Sequence, residues 1–140
     1  MPGATIEGYM VLRPDSRGLF AARERIRCVT EGMCLPPDEA DCLLIAVGEA
    51  ISNAYRHGTP NPSTDLIRLS WRHGVEGLIV TIKDDGNGFR AKPRSCAAER
   101  SGFLARGIEL MRACADDVHL ISDKGAKVVL RKRVKLVPEQ

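Results

Sequence analysis

The chain has 140 residues, 44% of them hydrophobic and 28% charged, and its 21 basic and 18 acidic side chains give a net charge of +3. That composition fits one domain of ordinary size around one core and excludes a disordered or fibrous chain. So small a positive excess does not signal nucleic acid, and aromatics at 4% leave little material for a base-stacking surface, so no direct nucleic-acid role is expected.

No apolar run approaches the ~18 residues of a bilayer span. The longest, from Cys42, stops at Glu49, and the N-terminus has neither a basic start nor a continuous apolar stretch, so a soluble cytoplasmic protein without membrane contact is expected. The five cysteines form no CxxC pair and read as small buried hydrophobes rather than as a zinc site or disulfide framework.

In chain order, Tyr9 to Arg13 reads as a strand closed by Pro14 and Asp15. Asp15 or Ser16 can cap a helix to about Gly32, with Leu19, Phe20, Ala22, Ile26 and Val29 near helical spacing. After Pro36 and Pro37, Asp38 reads as the N-cap of a second helix through His57. Leu66 to Trp71 and Leu78 to Lys83 form a predicted hairpin. The turn Asp84-Asp85-Gly86-Asn87-Gly88 follows, and Arg90 to Gly102 shows no periodicity and reads as a mobile loop. Ile108 to Cys114 is a predicted helix, and Asp117 to Ser122 with Lys127 to Val134 a last hairpin. Helices and antiparallel hairpins without βαβ alternation predict an α+β two-layer sandwich, a mostly antiparallel sheet with helices on one face.

The second helix carries the most informative pattern. Leu43, Leu44, Val47, Ala50, Ile51 and Ala54 fall on one side, and Glu49, Asn53 and His57 form a polar stripe on another. Glu and Asn one turn apart offer oxygens to a hard cation and a carboxylate able to act as a base. Taken alone, the stripe equally describes a solvated polar face. Asp84, at the end of an apolar strand, can sit half-buried and accept a hydrogen bond from an exocyclic amine, while Gly86 and Gly88 let the backbone approach a ligand. Between residues 90 and 106 stand Arg90, Lys92, Arg94, Arg100 and Arg106 against the single acid Glu99, a composition that suits polyphosphate or an ordinary solvated loop.

In this order, the segments EAISNAYRHG (49–58), TIKDDGNGF (81–89), ERSGFLARGIELMRACADDV (99–118) and GAKVVLRK (125–132) resemble the ATP-binding fold of the GHKL superfamily. Within it they are similar to the small stand-alone anti-sigma-factor serine/threonine kinases, over nearly the whole chain. The resemblance implies that Asn53 coordinates Mg²⁺ on the phosphates of ATP and that Glu49 is the general base. It also implies that Asp84 binds the adenine amino group beside Gly86 and Gly88, and that residues 90–106 form an ATP lid with Arg106 and Gly107 facing the phosphates. The partners it implies are an anti-anti-sigma (STAS-type) protein phosphorylated on Ser or Thr and a sigma factor held by a homodimer. His57 would have a supporting or structural role.

Two positions depart from the family pattern. Ala105 stands where a glycine is usual, and Ala126 where a Thr hydroxyl reaches the adenine, a hydrogen bond worth about 0.5–1.5 kcal/mol. Weaker nucleotide binding is the expected consequence, and the alternative function is a nucleotide-gated protein-binding module with little catalysis. The ATPase half of a sensor histidine kinase is disfavoured because there is no room for phosphoacceptor helices. Arg131, Lys132, Arg133 and Lys135 are expected to blunt an exposed sheet edge rather than to bind nucleic acid.

Overall fold

The computed structural model describes residues 6–33, 35–61, 63–86, 97–122 and 124–134, for Ile6 and residues 97–105 the backbone alone. Its elements are β1 (Ile6–Leu12), α1 (Ser16–Glu31), α2 (Pro37–His57), β2 (Ile67–Gly74), β3 (Gly77–Lys83), α3 (Ala97–Cys114), β4 (Asp117–Ser122) and β5 (Ala126–Lys132). The five strands form one antiparallel sheet in the order β1-β2-β3-β5-β4.

Alternation sorts the sheet residues. Ile67, Leu69 and Trp71 of β2, Leu78, Val80 and Ile82 of β3, and Val128 and Leu130 of β5 are buried on one face. They form one cluster with Ala22 and Ile26 of α1, Leu43, Val47 and Ile51 of α2, and Met111 of α3. Each fully buried Leu, Ile or Val contributes about 1.5–3 kcal/mol relative to exposure. The opposite face runs from Tyr9 through Ser70, Thr81 and Val129 to His119 in register, and no helix covers it among the described residues. The predicted α+β sandwich is therefore the observed one.

Several boundaries differ for identifiable reasons. Asp15 is the N-cap of α1, its Oδ1 accepting from the Gly18 N–H at 2.8 Å, which decides between Asp15 and Ser16. The second helix starts one residue before Asp38, with Pro36 at the cap position and no side-chain cap; Asp38 and Glu39 instead lie in its first turn, where negative charge favours the helix dipole. Phe20 points outward, 68% exposed, although its spacing matched the buried residues of α1. The predicted loop ends early, because residues 97–106 belong to α3. Their apolar side chains are not gathered into one stripe along the sequence, so periodicity did not reveal the helix.

The basic C-terminal strand is not an edge. β5 lies between β3 and β4, and its charges tie it to its neighbours. Arg131 pairs with Asp117 of β4, Lys132 Nζ lies 2.9 Å from Glu39 of α2, and the Arg133 N–H donates to Asp116 at 2.6 Å. The edge-blunting expectation is thus replaced by cross-element pairing; Lys135 lies outside the described residues.

Candidate nucleotide site

Glu49 and Asn53 lie one turn apart on α2, half-buried rather than washed by solvent. The reason is α3, whose Gly107 lies against them: a Cβ built on that glycine would stand 3.1 Å from Asn53 Nδ2 and 3.2 Å from Glu49 Oε2. The polar stripe is therefore roofed by a second helix where that helix carries no side chain. Asn53 Nδ2 is buried without a hydrogen-bond partner among the described residues. An orphaned buried amide costs the folded chain about 1–3 kcal/mol, so a side chain left in this state fits a site that a ligand completes. Its carbonyl oxygen is the hard donor that Mg²⁺ prefers.

Asp84 follows β3 directly and is 4% exposed. Its Oδ1 accepts from the N–H of Gly86 at 2.9 Å and of Ala126 at 3.0 Å, and its own N–H donates to the Ala126 carbonyl at 3.0 Å. Burial raises the carboxyl above its ordinary value; the two backbone donors and nearby Lys83 pull the other way without cancelling it. The other oxygen faces Gly58, where a Cβ would meet Oδ2 at 2.0 Å. Gly125, at φ +123°, packs on the Asp84 carbonyl with the same intolerance of a side chain.

Gly58 and Gly125 were not singled out in the sequence, although Gly58 closes the first quoted motif and Gly125 opens the last. Gly58 caps α2 five residues past Asn53, which places Asp84 beyond the end of the helix that carries Glu49 and Asn53. Glu49 and Gly58 are nine residues apart, about 13 Å of helical rise. The fold therefore strings a carboxylate, an unsatisfied amide and a second, buried carboxylate along one line.

Of the expected site residues, Glu49, Asn53 and Gly107 meet, and Asp84 and Gly86 are hydrogen-bonded to each other. Arg106 is exposed at the start of the turn that carries Gly107. Gly88 and the basic positions 90, 92 and 94 lie outside the described residues. His57 is exposed in the last turn of α2, where a basic residue complements the helix C-terminus. Beside Glu49, a groove of about 500 Å³ opens between α1 and α2, with Leu19, Phe20, Arg23, Ile45 and Tyr55 around it.

Residues 12–132 match the family model described as a histidine kinase-like ATPase domain. The chain belongs to this family. Two relatives carry names that bear on function. It is 29% identical over 101 residues to "Serine-protein kinase RsbW" of Listeria innocua, covering 66% of this chain and 64% of that protein. It is 28% identical over 113 residues to "Anti-sigma F factor" of Clostridium beijerinckii, covering 71% and 75%. The chain thus spans slightly less than two thirds of the length of the Listeria kinase.

The RsbU and RsbW domains of Rv1364c from Mycobacterium tuberculosis superpose on 92% of this chain and 32% of theirs, with a TM-score of 0.71 at 14% identity. A histidine kinase domain from Erythrobacter litoralis EL346 superposes on 84% of this chain and 60% of its own, with a TM-score of 0.57 at 19% identity. These two share the fold. The resemblance to anti-sigma kinases drawn from the motifs agrees with the relatives' names. Among the described residues, no helix is long and apolar enough to cross a membrane.

Proposed function

We propose that this histidine kinase-like ATPase domain is a cytoplasmic anti-sigma serine/threonine kinase that binds Mg-ATP, phosphorylates an anti-anti-sigma protein and holds a sigma factor as a homodimer. The observation that carries the reading is the meeting of Glu49 and Asn53 of α2 with Gly107 of α3. A base and an unsatisfied amide share one half-buried spot, and Gly107 leaves space there because it has no side chain.

In this reading Asp84 accepts the adenine amino group through Oδ2, while Oδ1 stays bound to the backbone of Gly86 and Ala126 and fixes the carboxylate's orientation. Asn53 would hold Mg²⁺, which neutralises charge on the phosphates when bound. Arg106 adds a positive charge at the start of the same turn of α3. Glu49 takes the proton of the acceptor hydroxyl, and the open groove at α1 gives that hydroxyl a route to the carboxylate. The uncovered sheet face, with Tyr9 76% and Ile121 41% exposed, supports a dimer.

Glu49→Gln tests the base. Phosphate transfer to a STAS-type partner, read by mass spectrometry, is expected to fall roughly 10²–10⁴-fold with ATP binding kept; transfer at the wild-type rate would remove Glu49 from the mechanism. The second reading, a nucleotide-gated binding module without useful catalysis, is favoured by Ala126, which meets Asp84 through its backbone but brings no hydroxyl. Phosphopartner formation with the wild-type chain decides against it.

A further inference from the structure

Thr59 is a buried polar side chain, 6% exposed, to which the proposed chemistry gives no part. It follows Gly58, the residue that ends α2 against Asp84. Pro60 comes next, and a residue before proline is pushed out of helical backbone, so the chain leaves α2 here. The last carbonyls of a helix then lack helical donors. The Gly58 N–H still donates to the Ala54 carbonyl at 2.8 Å. For the Tyr55 carbonyl, four residues before Thr59, the donor is the Thr59 hydroxyl at 2.8 Å. The side chain thus replaces the N–H that a continued helix would have supplied, and it holds the chain beside α2 after the helix has stopped.

What that hook holds is Gly58, and Gly58 fills a narrow gap. A Cβ on Gly58 would meet Asp84 Oδ2 at 2.0 Å, and a Cβ on Gly86 would meet the Gly58 Cα at 2.6 Å. The end of α2 therefore packs on both the carboxylate and the glycine of the turn Asp84-Asp85-Gly86. Within that turn Oδ1 is fixed by the N–H groups of Gly86 and Ala126, and Oδ2, the oxygen proposed for the adenine amino group, has Gly58 as its neighbour. A small shift of Gly58 changes the room beside Oδ2, and a hydrogen bond weakens steeply once it is misaligned.

We propose that Thr59 is a positioning residue for recognition of the nucleotide base: its hydroxyl, bound to the Tyr55 carbonyl, seats Gly58 so that Asp84 Oδ2 is aligned for the exocyclic amine of adenine. This rests on the reading of Asp84 as the contact of the base, and it adds what keeps that carboxylate selective. Thr59 acts through Gly58 and Asp84, so removing its hydroxyl weakens the grip on the amine and leaves the rest of the nucleotide's contacts as they were.

The test is binding selectivity, measured by calorimetry on the full chain with Mg²⁺ and either ATP or purine riboside triphosphate, which is ATP without the amino group. A hydrogen bond to a charged group is strong enough for the wild type to prefer ATP by roughly 10–100-fold. Thr59→Val keeps the shape and removes the hydroxyl. Its preference is expected to shrink roughly 3–10-fold, through weaker ATP binding with the affinity for the analogue unchanged. Thr59→Ser keeps the hydroxyl and should keep the wild-type ratio. Thr30→Val is the control: it removes another buried hydroxyl, bonded to the Arg27 carbonyl at 2.8 Å in α1, and should lower stability without changing the ratio. A wild type with no preference for ATP removes Asp84 from the base, and this proposal with it. A preference kept in Thr59→Val, or lost as fully in Thr59→Ser or Thr30→Val, overturns the role of the Thr59 hydroxyl alone. If Thr59→Val does not fold, Thr59→Ala takes its place, and failure of both to fold makes the hydroxyl a requirement of the fold and likewise overturns the proposal.

Discussion

Burying the Asp84 carboxyl beneath Gly58 lowers the stability of the ligand-free chain, because the charged form leaves water for a site with only backbone donors. Its folded pKa lies above the unfolded value of about 3.9, so the folded state binds more protons between the two. Stability from this group is full below the unfolded value and is lost as pH rises through the folded one. Asp84→Asn keeps an oxygen for both N–H donors and carries no charge. Its unfolding midpoint is expected to match wild type near pH 4 and to exceed it increasingly toward neutrality in thermal melts. The same variant should lose the stabilisation by Mg-ATP, about 2.7 kcal/mol at 100 times Kd; an undiminished shift would move the adenine contact elsewhere. Gly58→Ala drives a methyl into Oδ2, and overpacking of this kind costs about 1–3 kcal/mol. It should lower both the midpoint and the affinity for ATP, measured by calorimetry. The carboxylate and Gly86 were legible as a motif; the packing of Gly58 was not, because 26 positions separate it from Asp84.

At the scale of elements, α2 was legible except at its N-terminal cap, and α3 only in part. The apolar stripe of α2 buries Leu43, Val47, Ala50, Ile51 and Ala54 together, so the 3.6-residue period shows in the sequence. α3 packs chiefly against α2, and its apolar residues follow no single helical stripe along the sequence. Ala105, which stands where the family has glycine, lies inside this helix, where alanine is favoured over glycine by about 0.8–1 kcal/mol. Ala105→Gly is therefore expected to lower the unfolding midpoint by a few degrees. It should tighten ATP binding if helix stiffness beside Arg106 limits it; an unchanged Kd would show that this departure is neutral. Ala126→Thr should tighten ATP binding by the value of one hydrogen bond, roughly 2–10-fold, since position 126 already touches Asp84 through its N–H.

For the whole molecule, the sheet order is the feature that periodicity did not supply. Both hairpins were predicted, but the second could have joined the first through either of its strands. The structure joins β5 to β3 and leaves β4 at the edge. Arg131 is paired with Asp117 inside the second hairpin and Lys132 with Glu39 of α2, so the basic strand has acidic partners although it lies inside the sheet. The proposed homodimer would use the uncovered face. If the wild-type chain sediments as the proposed dimer, replacing Tyr9 and Ile121 together by Asp should leave the core intact and shift it toward the monomer, whereas an unchanged dimer would place the interface elsewhere and a monomeric wild type would remove the dimer from the proposal.

The sequence by itself determined the fold class, the two hairpins, the amphipathic second helix and the identity of the acidic and amide groups along it, because these depend on local period and on motif order. Only the tertiary structure decided that Glu49 and Asn53 are roofed by Gly107 and that Asp84 is closed in by Gly58. Each of those contacts joins segments 26 to 58 positions apart in the chain. Their closeness is fixed by helix packing and strand order, which no local pattern of residues encodes.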